Sequence, residues 1–226
     1  MNYPIRENLN LTIPPGSDTL RGFRRWVHSD SFPDRGHVSL IAGEMVIDMN
    51  AERLQSHNKL KGTIGRVLAT LSEDLDLGEY FVDGLWLTND AAELSTVPDG
   101  TFVSWESLEN GRAQLLSAID GDDAIELSGS PDWVLEVVSP SSIEKDTRKL
   151  VDAYYRAGVR EYWIVDALGE DVVLRVFARG DNDFTPVEST DGWVQSKVFA
   201  REFRLTRRRH RLGTWQYTLA MRAETT

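Results

Sequence analysis

The sequence contains no cysteine among its 226 residues. This absence excludes disulfide bonds, thiolate zinc sites and cysteine nucleophiles together, and it is typical of proteins from a reducing compartment. The sequence also lacks a run of about eighteen apolar residues, the length that a membrane-spanning helix needs. Its first residues contain no basic segment followed by an apolar one, which a secretory signal requires. We therefore expect a soluble, cytoplasmic protein without a membrane partner.

Positive charge is scarce as well, since 25 Lys and Arg residues accompany 36 Asp and Glu residues and the formal net charge is −11. This balance argues against general adhesion to nucleic acids, because Lys and Arg make the phosphate contacts. Residues 201–211 are an exception, with six Arg and one Glu. The segment indicates either a local surface for a polyanion or an ordinary solvated surface. The candidate nucleic-acid-binding residues in it are Arg207, Arg208, Arg209 and Arg211.

The length and the hydrophobic content of 41% are sufficient for one substantial core and small for two domains. Residues 1–36 are rich in Pro, Gly, Asp and Ser, and they predict an extended arm with a short helix over residues 20–27. Residues 37–226 predict a single domain. It opens with a hairpin over residues 37–48, followed by a helix over residues 51–75 that Asn50 caps and whose apolar residues recur at spacings of three and four.

Further along, short apolar segments alternate with turn residues and predict the strands of a mixed sheet. A capping box of Ser141 and Glu144 predicts a second helix that ends at Gly158. Residues 132–166 then form a strand, helix, strand unit, for which a right-handed parallel crossover is the usual topology. We predict an α/β fold with a central mixed β-sheet flanked by helices. Its strands are expected near residues 80–87, 97–103, 133–138, 161–166, 172–178, 193–198 and 214–219, with a loop-rich stretch over residues 104–130.

Two carboxylates interrupt strand-like segments. Glu136 lies inside the apolar run of residues 133–138, where an ionised side chain needs a metal, a base, a proton or a structural ion pair. Asp99 lies between Pro98 and Gly100, where it is either a turn residue or a second carboxylate of the same site. Mg²⁺ is usually held by one or two carboxylates together with water and substrate phosphate. If the two strands are neighbours, Asp99 and Glu136 therefore indicate a hard-cation site at one end of the sheet.

The order of Pro-Asp, an acidic residue in an apolar strand and a lysine-bearing helix resembles the PD-(D/E)xK nuclease superfamily. More closely, the chain resembles the bacterial Uma-two family of restriction-endonuclease-like proteins. The matching segments are residues 97–105, 131–141 and 157–166, with Gly43-Glu44 earlier in the chain. The resemblance covers about residues 38–180 and extends weakly to the Arg-rich segment.

This resemblance implies a restriction-endonuclease-like fold and a divalent-metal phosphodiesterase site that uses Mg²⁺ or Mn²⁺. Asp99 and Glu136 would be the metal ligands, with the Val137 carbonyl beside them. Glu44 would support a ligand or a water. A lysine would hold or deprotonate the attacking water.

The lysine of the family pattern is missing from its usual positions. Val138 stands at the lysine position of the (D/E)xK signature, and Leu150 stands where many relatives carry lysine on the following helix. Lys149 and Lys145 lie on the same predicted helix. A rotation of roughly 100° per residue places Lys149 nearer to the face of Leu150, so we expect Lys149 to be the catalytic lysine, with Lys145 as the other candidate. His57 is predicted to be a surface or packing residue, because a lone histidine is no metal site.

Three functions remain open at this point. The first is a divalent-metal-dependent endonuclease that hydrolyses DNA phosphodiester bonds, with DNA as its partner. The second is a catalytically inactive nuclease fold that serves as a binding or assembly module, and the third is a metal-dependent hydrolase of phosphorylated small molecules. A homodimer is plausible for the first, since cutting two strands usually takes two sites.

Overall fold

The computed structural model describes residues 11–117 and 123–223. It has four α-helices, of which only the second is long. Two of the helices are each directly preceded by one π-helical turn. The helices are α1 (Leu20–Val27), α2 (Lys59–Asp74), α3 (Trp105–Glu109) and α4 (Leu150–Arg156); the π-helical turns are Leu54–Asn58, before α2, and Lys145–Lys149, before α4. No helix in the described ranges is long and apolar enough to cross a membrane.

Sixteen strands form three sheets in the described part of the chain. The N-terminal sheet contains β1 (His37–Ile41), β2 (Glu44–Asp48), β4 (Trp86–Asn89), β5 (Leu94–Thr96), β7 (Ala113–Ser117) and β8 (Ala124–Gly129), in the order β2-β1-β5-β4-β8-β7. The central sheet contains β3 (Gly78–Phe81), β6 (Gly100–Ser104), β9 (Trp133–Val137), β10 (Glu161–Asp166), β11 (Val173–Arg179) and β12 (Phe184–Pro186), in the order β12-β11-β10-β9-β6-β3. The C-terminal sheet contains β13 (Ser189–Thr190), β14 (Trp193–Ser196), β15 (Arg201–Arg209) and β16 (Trp215–Ala223), in that order.

The central sheet is buried on both faces, and its side chains alternate between two cores because successive residues of a strand point to opposite sides. Val134 and Ile164 pack against α4 and the N-terminal sheet. Leu135 and Val165 pack against α2 and the C-terminal sheet. This alternation turns Glu136 toward α4. The predicted α/β fold with a central mixed sheet flanked by helices is confirmed, and it is accompanied by two further sheets that the sequence did not separate.

The parallel crossover is also present. β9 and β10 pair in parallel, with Leu135 opposite Trp163 and Val137 opposite Val165, and α4 connects them. The helix ends at the predicted place, since Gly158 has a φ of +81°, a left-handed conformation that glycine adopts at little cost. The capping box does not form. Instead, Ser139 and Ser142 exchange hydrogen bonds between backbone N–H and side-chain oxygen, at 2.9 and 3.2 Å.

The long helix begins later than its apolar spacing predicted. Residues 51–53 are not helical, and the Asn50 side chain donates to Asp48 Oδ1 at 2.7 Å instead of capping a helix. From residue 59 onward the predicted stripe is present, because Leu60, Ile64 and Leu68 are fully buried. The π-helical turn before α2 therefore replaces the first expected turns.

Two predicted strands have different bounds in the structure, and one of them is a pair of strands from different sheets. Residues 80–87 contain the end of β3 and the start of β4, separated by Asp83 and Gly84 with positive φ. Residues 97–103 contain only β6, because β5 ends at Thr96. The stretch over residues 104–130, predicted to be loop-rich, contains α3, β7 and β8 on either side of residues 118–122, which lie outside the described ranges.

The described part of the predicted N-terminal arm packs on the domain. Phe23 and Trp26 of α1 are buried, and they form a small core with Val38 and Leu40 of β1. The helix over residues 20–27 is thus confirmed, and these residues belong to the folded unit. Residues 1–10 lie outside the described ranges.

Candidate active site

A cleft of about 460 Å³ opens at the carboxyl ends of β9 and β10. This is the place where ligands bind in open α/β sheets, because loops and helix starts converge there. Asp99 and Glu136 both line the cleft, together with residues of the π-helical turn before α2 and of the segment that leads into α4. The two predicted carboxylates are therefore brought into one site.

The antiparallel pairing of β6 and β9 positions Asp99. Its backbone N–H donates to the Leu135 carbonyl at 3.0 Å, and its Oδ2 accepts a hydrogen bond from the Val137 N–H at 2.7 Å. Asp99 is 8% exposed and Glu136 is 2% exposed. The carboxylate of Asp99 is thus fixed against the peptide that follows Glu136, so Asp99 is more than a turn residue.

Two cations from the α2 region flank Asp99. His57 Nε2 lies 3.3 Å from Asp99 Oδ2, and Lys61 Nζ lies 3.4 Å from Asp99 Oδ1. Burial alone would raise the pKa of Asp99, but the hydrogen bond and charge of His57, the charge of Lys61 and the Val137 N–H lower it. Asp99 is consequently held in its ionised form.

Acidic residues in turn hold these cations. His57 Nδ1 lies 2.7 Å from Glu52 Oε1, and Lys61 pairs with Glu52 and, at 2.7 Å, with Asp83 Oδ2. Burial would lower the pKa of His57, but its bond to Asp99, the charge of Asp99 and the bond to Glu52 raise it to about 9. His57 is therefore a charged member of the site and not the packing residue that the sequence indicated.

Glu136 has a different environment, on the α4 side of the central sheet. The hydroxyl of Tyr154 donates to Glu136 Oε1 at 2.6 Å, and Lys145 Nζ lies 3.3 Å from Glu136 Oε2. Lys145 also lies 3.0 Å from Asp146 Oδ1. Burial raises the pKa of Glu136 to about 8; Lys145 opposes this rise, and the charges of Asp146 and Asp99 add to it.

The lysine that reaches the site is Lys145, whereas Lys149 was the expected one. Lys149 Nζ donates to Glu44 Oε1 at 2.8 Å, and neither of these residues lines the cleft. Glu44, whose side chain is 66% exposed, therefore lies away from Asp99 and Glu136. The reason is the π-helical turn, in which the Leu150 N–H bonds to the Lys145 carbonyl five residues earlier. This wider turn brings Lys145 toward the face of Leu150, and an α-helical wheel misplaces it.

The donor set of the cleft suits a hard cation. Asp99 and Glu136 supply oxygen ligands, and Mg²⁺ commonly takes only one or two carboxylates and completes its shell with water and substrate oxygens. Within the described ranges, no three His, Cys, Asp or Glu side chains are grouped so that they could hold an ion by themselves. His57 lies next to Asp99, and Lys145 lies next to Glu136. A bound Mg²⁺ would take over part of these contacts.

The Arg-rich segment forms β15 and the turn after it, so the structure does not place it among the residues that line the cleft. Arg207 and Arg209 both lie over the Trp215 ring. Their guanidinium carbons are 4.0 and 3.7 Å from the centre of the ring. Arg208 and Arg211 are exposed. The four residues predicted to bind nucleic acid thus fall into two pairs with different surroundings.

Sequence reasoning missed Lys61, Glu52 and Tyr154 as members of the site. Lys61 is 5% exposed although it directly follows Leu60 in the buried stripe of α2. The available signal was the spacing of His57 and Lys61, which lie four residues apart and so share one side of a helix. Tyr154 is fully buried in α4, and nothing in the sequence connects its hydroxyl with Glu136.

Comparisons with known proteins show the family of the chain and a fold that it shares. The model of the Uma2 family, described as "Putative restriction endonuclease", matches residues 21–208. A solved structure described as a putative nuclease belonging to DUF820 from Anabaena variabilis ATCC 29413 is similar in fold, with a TM-score of 0.58 and 21% identity over 80% of this chain and 90% of that chain. No curated protein matches. Because the family model spans most of the sequence, including both carboxylates and Lys145, the chain belongs to the Uma2 family of restriction-endonuclease-like proteins.

Proposed function

We propose that the protein is a Mg²⁺- or Mn²⁺-dependent endonuclease that hydrolyses phosphodiester bonds of DNA. The observation that carries the proposal is the convergence of Asp99, Glu136 and Lys145 in one cleft. Two buried carboxylates with a lysine at hydrogen-bonding distance from one of them form the minimum set for metal-assisted phosphodiester hydrolysis. Family membership supports nuclease activity, and the metal and the DNA substrate are our assignment.

Asp99 and Glu136 would hold the ion, with the Val137 carbonyl beside them. When bound, the ion supplies Lewis-acid chemistry, since it lowers the pKa of a water and polarises a phosphoryl oxygen. The Val137 N–H fixes the orientation of Asp99, and Tyr154 fixes that of Glu136 through its 2.6 Å hydrogen bond. Preset carboxylates reduce the reorganisation that the reaction requires.

Lys145 would hold the attacking water and offset the negative charge that develops on the phosphoryl oxygens. Its ammonium group is kept protonated because the charges of Glu136 and Asp146 raise its pKa, although burial acts in the opposite direction. Lys145 therefore acts as a donor and a positive charge, and it takes the place of a lysine at Val138 or Leu150.

His57 and Lys61 are assigned a supporting role. They contact Asp99 and not Glu136, and their charges keep Asp99 ionised at neutral pH. An ionised carboxylate is the form that binds a cation. Glu52, which contacts both cations, keeps them in place.

A second candidate function is a nuclease fold that binds without cutting. One feature favours it, namely that Val138 and Leu150 occupy the two positions at which the resemblance to the nuclease superfamily implies a lysine. The two functions differ in the role of Lys145, which is essential in the first and dispensable in the second.

The test uses supercoiled plasmid DNA and the purified full chain. We expect nicking with Mg²⁺ or Mn²⁺ and none with EDTA, and we expect Asp99→Asn and Glu136→Gln each to abolish it, because each substitution removes a metal ligand while keeping the side-chain shape. Circular dichroism verifies that the variants are folded. Cleavage that persists in both variants would remove the site assignment, and a folded protein that binds divalent ions without nicking any DNA would establish the second function.

Double-strand cleavage by one site per chain would further require two chains, so a homodimer is part of this proposal. Light scattering of the protein with and without duplex DNA measures the number of chains in the complex. A complex of one chain per duplex, together with nicking of a single strand, would restrict the proposal to a nicking enzyme.

A further inference from the structure

The hairpin of β15 and β16 ends in a well-defined turn. The His210 N–H donates to the Thr214 carbonyl and the Gly213 N–H donates to the His210 carbonyl, both at 2.8 Å. Arg209 Nη1 adds a hydrogen bond of 2.8 Å to the Gly213 carbonyl. The turn is therefore an ordered projection whose side chains have defined directions.

The tip of this hairpin combines positive charge with one apolar side chain. Arg208, Arg209 and Arg211 are exposed. Leu212, at the apex, is 79% exposed, which is the largest value among the exposed large apolar side chains of the described residues. A large apolar side chain that is mostly exposed at the apex of a basic turn leaves its surface in contact with water, and a bound partner would cover that surface.

The hairpin projects from the end of the central sheet at which the cleft opens. Arg207 donates to the carbonyls of Ala167 and Glu170 at 3.1 Å each, and these carbonyls belong to the loop that follows β10. Because β9 and β10 are parallel and Val137 lies opposite Val165, this loop lies at the same end as Glu136. The strand continues for two residues beyond Arg207, to Arg209, which is about 7 Å at roughly 3.3 Å per residue, before the turn.

Lys59 connects the hairpin with the cleft. Its Nζ donates to the Trp215 carbonyl at 3.3 Å, at the start of β16. Lys59 is the first residue of α2, two positions after His57, which lines the cleft. Positive groups therefore follow one another from the rim of the cleft, through Lys59, to Arg208 and Arg211 at the tip.

We infer that the tip of this hairpin docks in a groove of duplex DNA, with Arg208 and Arg211 against phosphates and Leu212 against the base edges. The inference rests on the proposed function, since it names the surface that brings the substrate to the cleft. A two-stranded β-ribbon fits a DNA groove, and apolar side chains of groove-binding proteins contact or separate base steps. In a chain with a net charge of −11, a local cationic segment is the place at which a polyanion binds.

Arg207 and Arg209 have partners within the hairpin and the loop after β10, so we assign them to the shape of the hairpin. Both guanidinium groups lie over the Trp215 ring, and their N–H groups donate to backbone carbonyls of residues 167, 170 and 213. Arg208 Nε donates a hydrogen bond of 3.0 Å to Gln216 Oε1, and Arg208 is exposed. The predicted set of four arginines is thus divided into two that shape the hairpin and two that would contact DNA.

The experiment measures equilibrium binding of a fluorescent duplex to the full chain in EDTA, over a series of salt concentrations. The double variant Arg208→Gln with Arg211→Gln should bind at least about tenfold more weakly, and its salt slope should fall by about 1.8, which is two phosphate contacts at about 0.9 each. Leu212→Ser should weaken binding without changing the slope. The matched control is Arg156→Gln, an exposed arginine in the last turn of α4 on the other face of the central sheet, and it should leave both quantities unchanged.

Equal effects of the hairpin and control variants, or an unchanged salt slope, would overturn the inference. Loss of binding to anionic vesicles with unaltered duplex binding would also overturn it and assign the tip to a membrane surface. Failure of the proposed function can be distinguished from failure of this inference, because binding in EDTA requires no cleavage. If the chain binds duplex DNA through the tip but never nicks it, the inference about the tip holds and the proposed nuclease activity is refuted. Thermal unfolding of each variant controls for folding.

Discussion

The two carboxylates of the cleft have opposite electrostatic environments although they lie in one site. Asp99 is flanked by His57 and Lys61 from the α2 side, and the pKa of Asp99 is lowered. Glu136 comes from the middle of an apolar strand, and burial raises its pKa to about 8 in spite of Lys145. If the proposed ion binds, Asp99 would meet it as a carboxylate that is already ionised, and Glu136 would release a proton when it binds the ion.

The two sides of the cleft share one local feature. Both His57 and Lys145 lie in a π-helical turn that directly precedes an α-helix. Such turns are rare and frequent at functional sites, since they change the direction of side chains relative to a regular helix. One cation on each side, His57 and Lys145, thus lies in an irregular turn, whereas Asp99 directly precedes β6 and Glu136 lies within β9.

The largest expected effect concerns the lysine on the Glu136 side. Lys145→Met should reduce the rate of plasmid nicking by about 10²- to 10³-fold, because it removes the donor and the positive charge that face the reacting phosphate. Lys149→Met should change the rate by less than about twofold, because Lys149 pairs with the exposed Glu44 outside the cleft. Equal losses in the two variants, measured under single-turnover conditions, would refute the choice of Lys145.

The next prediction compares how much Lys61 and Lys145 each contribute to the free energy of unfolding. Lys61→Met should lower the free energy of unfolding by roughly 3 kcal/mol, the usual result of leaving a buried charge such as Asp99 without its partner. Lys145→Met should cost less, because Glu136 has a raised pKa and can take up a proton when its partner is removed. Urea unfolding at pH 7 measures both values. A larger loss for Lys145→Met would mean that Glu136 is the ionised carboxylate of the pair.

The third effect is a pH dependence. The pKa of Glu136 is raised from 4.5 to about 8, so its contribution to stability is fully present below the unfolded-state value and is lost as the pH rises through the folded-state value. The stability of the native chain should therefore fall relative to that of Glu136→Gln between about pH 5 and 8. Asp99 has a lowered pKa, and its contribution is lost in the other direction, as the pH falls below 3.8. Unfolding curves of the native chain, Glu136→Gln and Asp99→Asn, measured from below pH 3.8 to above pH 8, test both signs. A constant difference between the native chain and Glu136→Gln would contradict the contrast.

Much of the central sheet could be predicted from the sequence. The apolar runs of β9 and β10 and the stripe of α4 have the periodicity of their structures, and the unit they form has one usual topology. β15 was not predicted, because its exposed positions hold long charged side chains and its buried positions, Phe203 and Leu205, are only two. Residues 104–130 were not resolved into elements, because short strands with polar faces resemble loops in a single sequence.

The candidate site was predictable for its anions and not for its cations. A carboxylate in an apolar strand is conspicuous, since it must have a partner, and Asp99 is marked by its position between Pro98 and Gly100. Lys145, Lys61 and His57 have the surroundings of ordinary helix residues in the sequence. The placement of His57 and Lys145 depends on π-helical turns, whose hydrogen-bonding pattern no periodicity of side chains reveals.

The sequence by itself determined that Glu136 would be buried and in need of a partner, because the strand around it is apolar on both sides. It also determined the parallel unit on which Glu136 lies and the family to which the chain is similar. Only the tertiary structure decided which groups meet this carboxylate and Asp99. The reason is physical: the identity of a partner depends on which elements converge at one end of a sheet and on the local path of each turn, and these are set by packing among segments far apart in the chain.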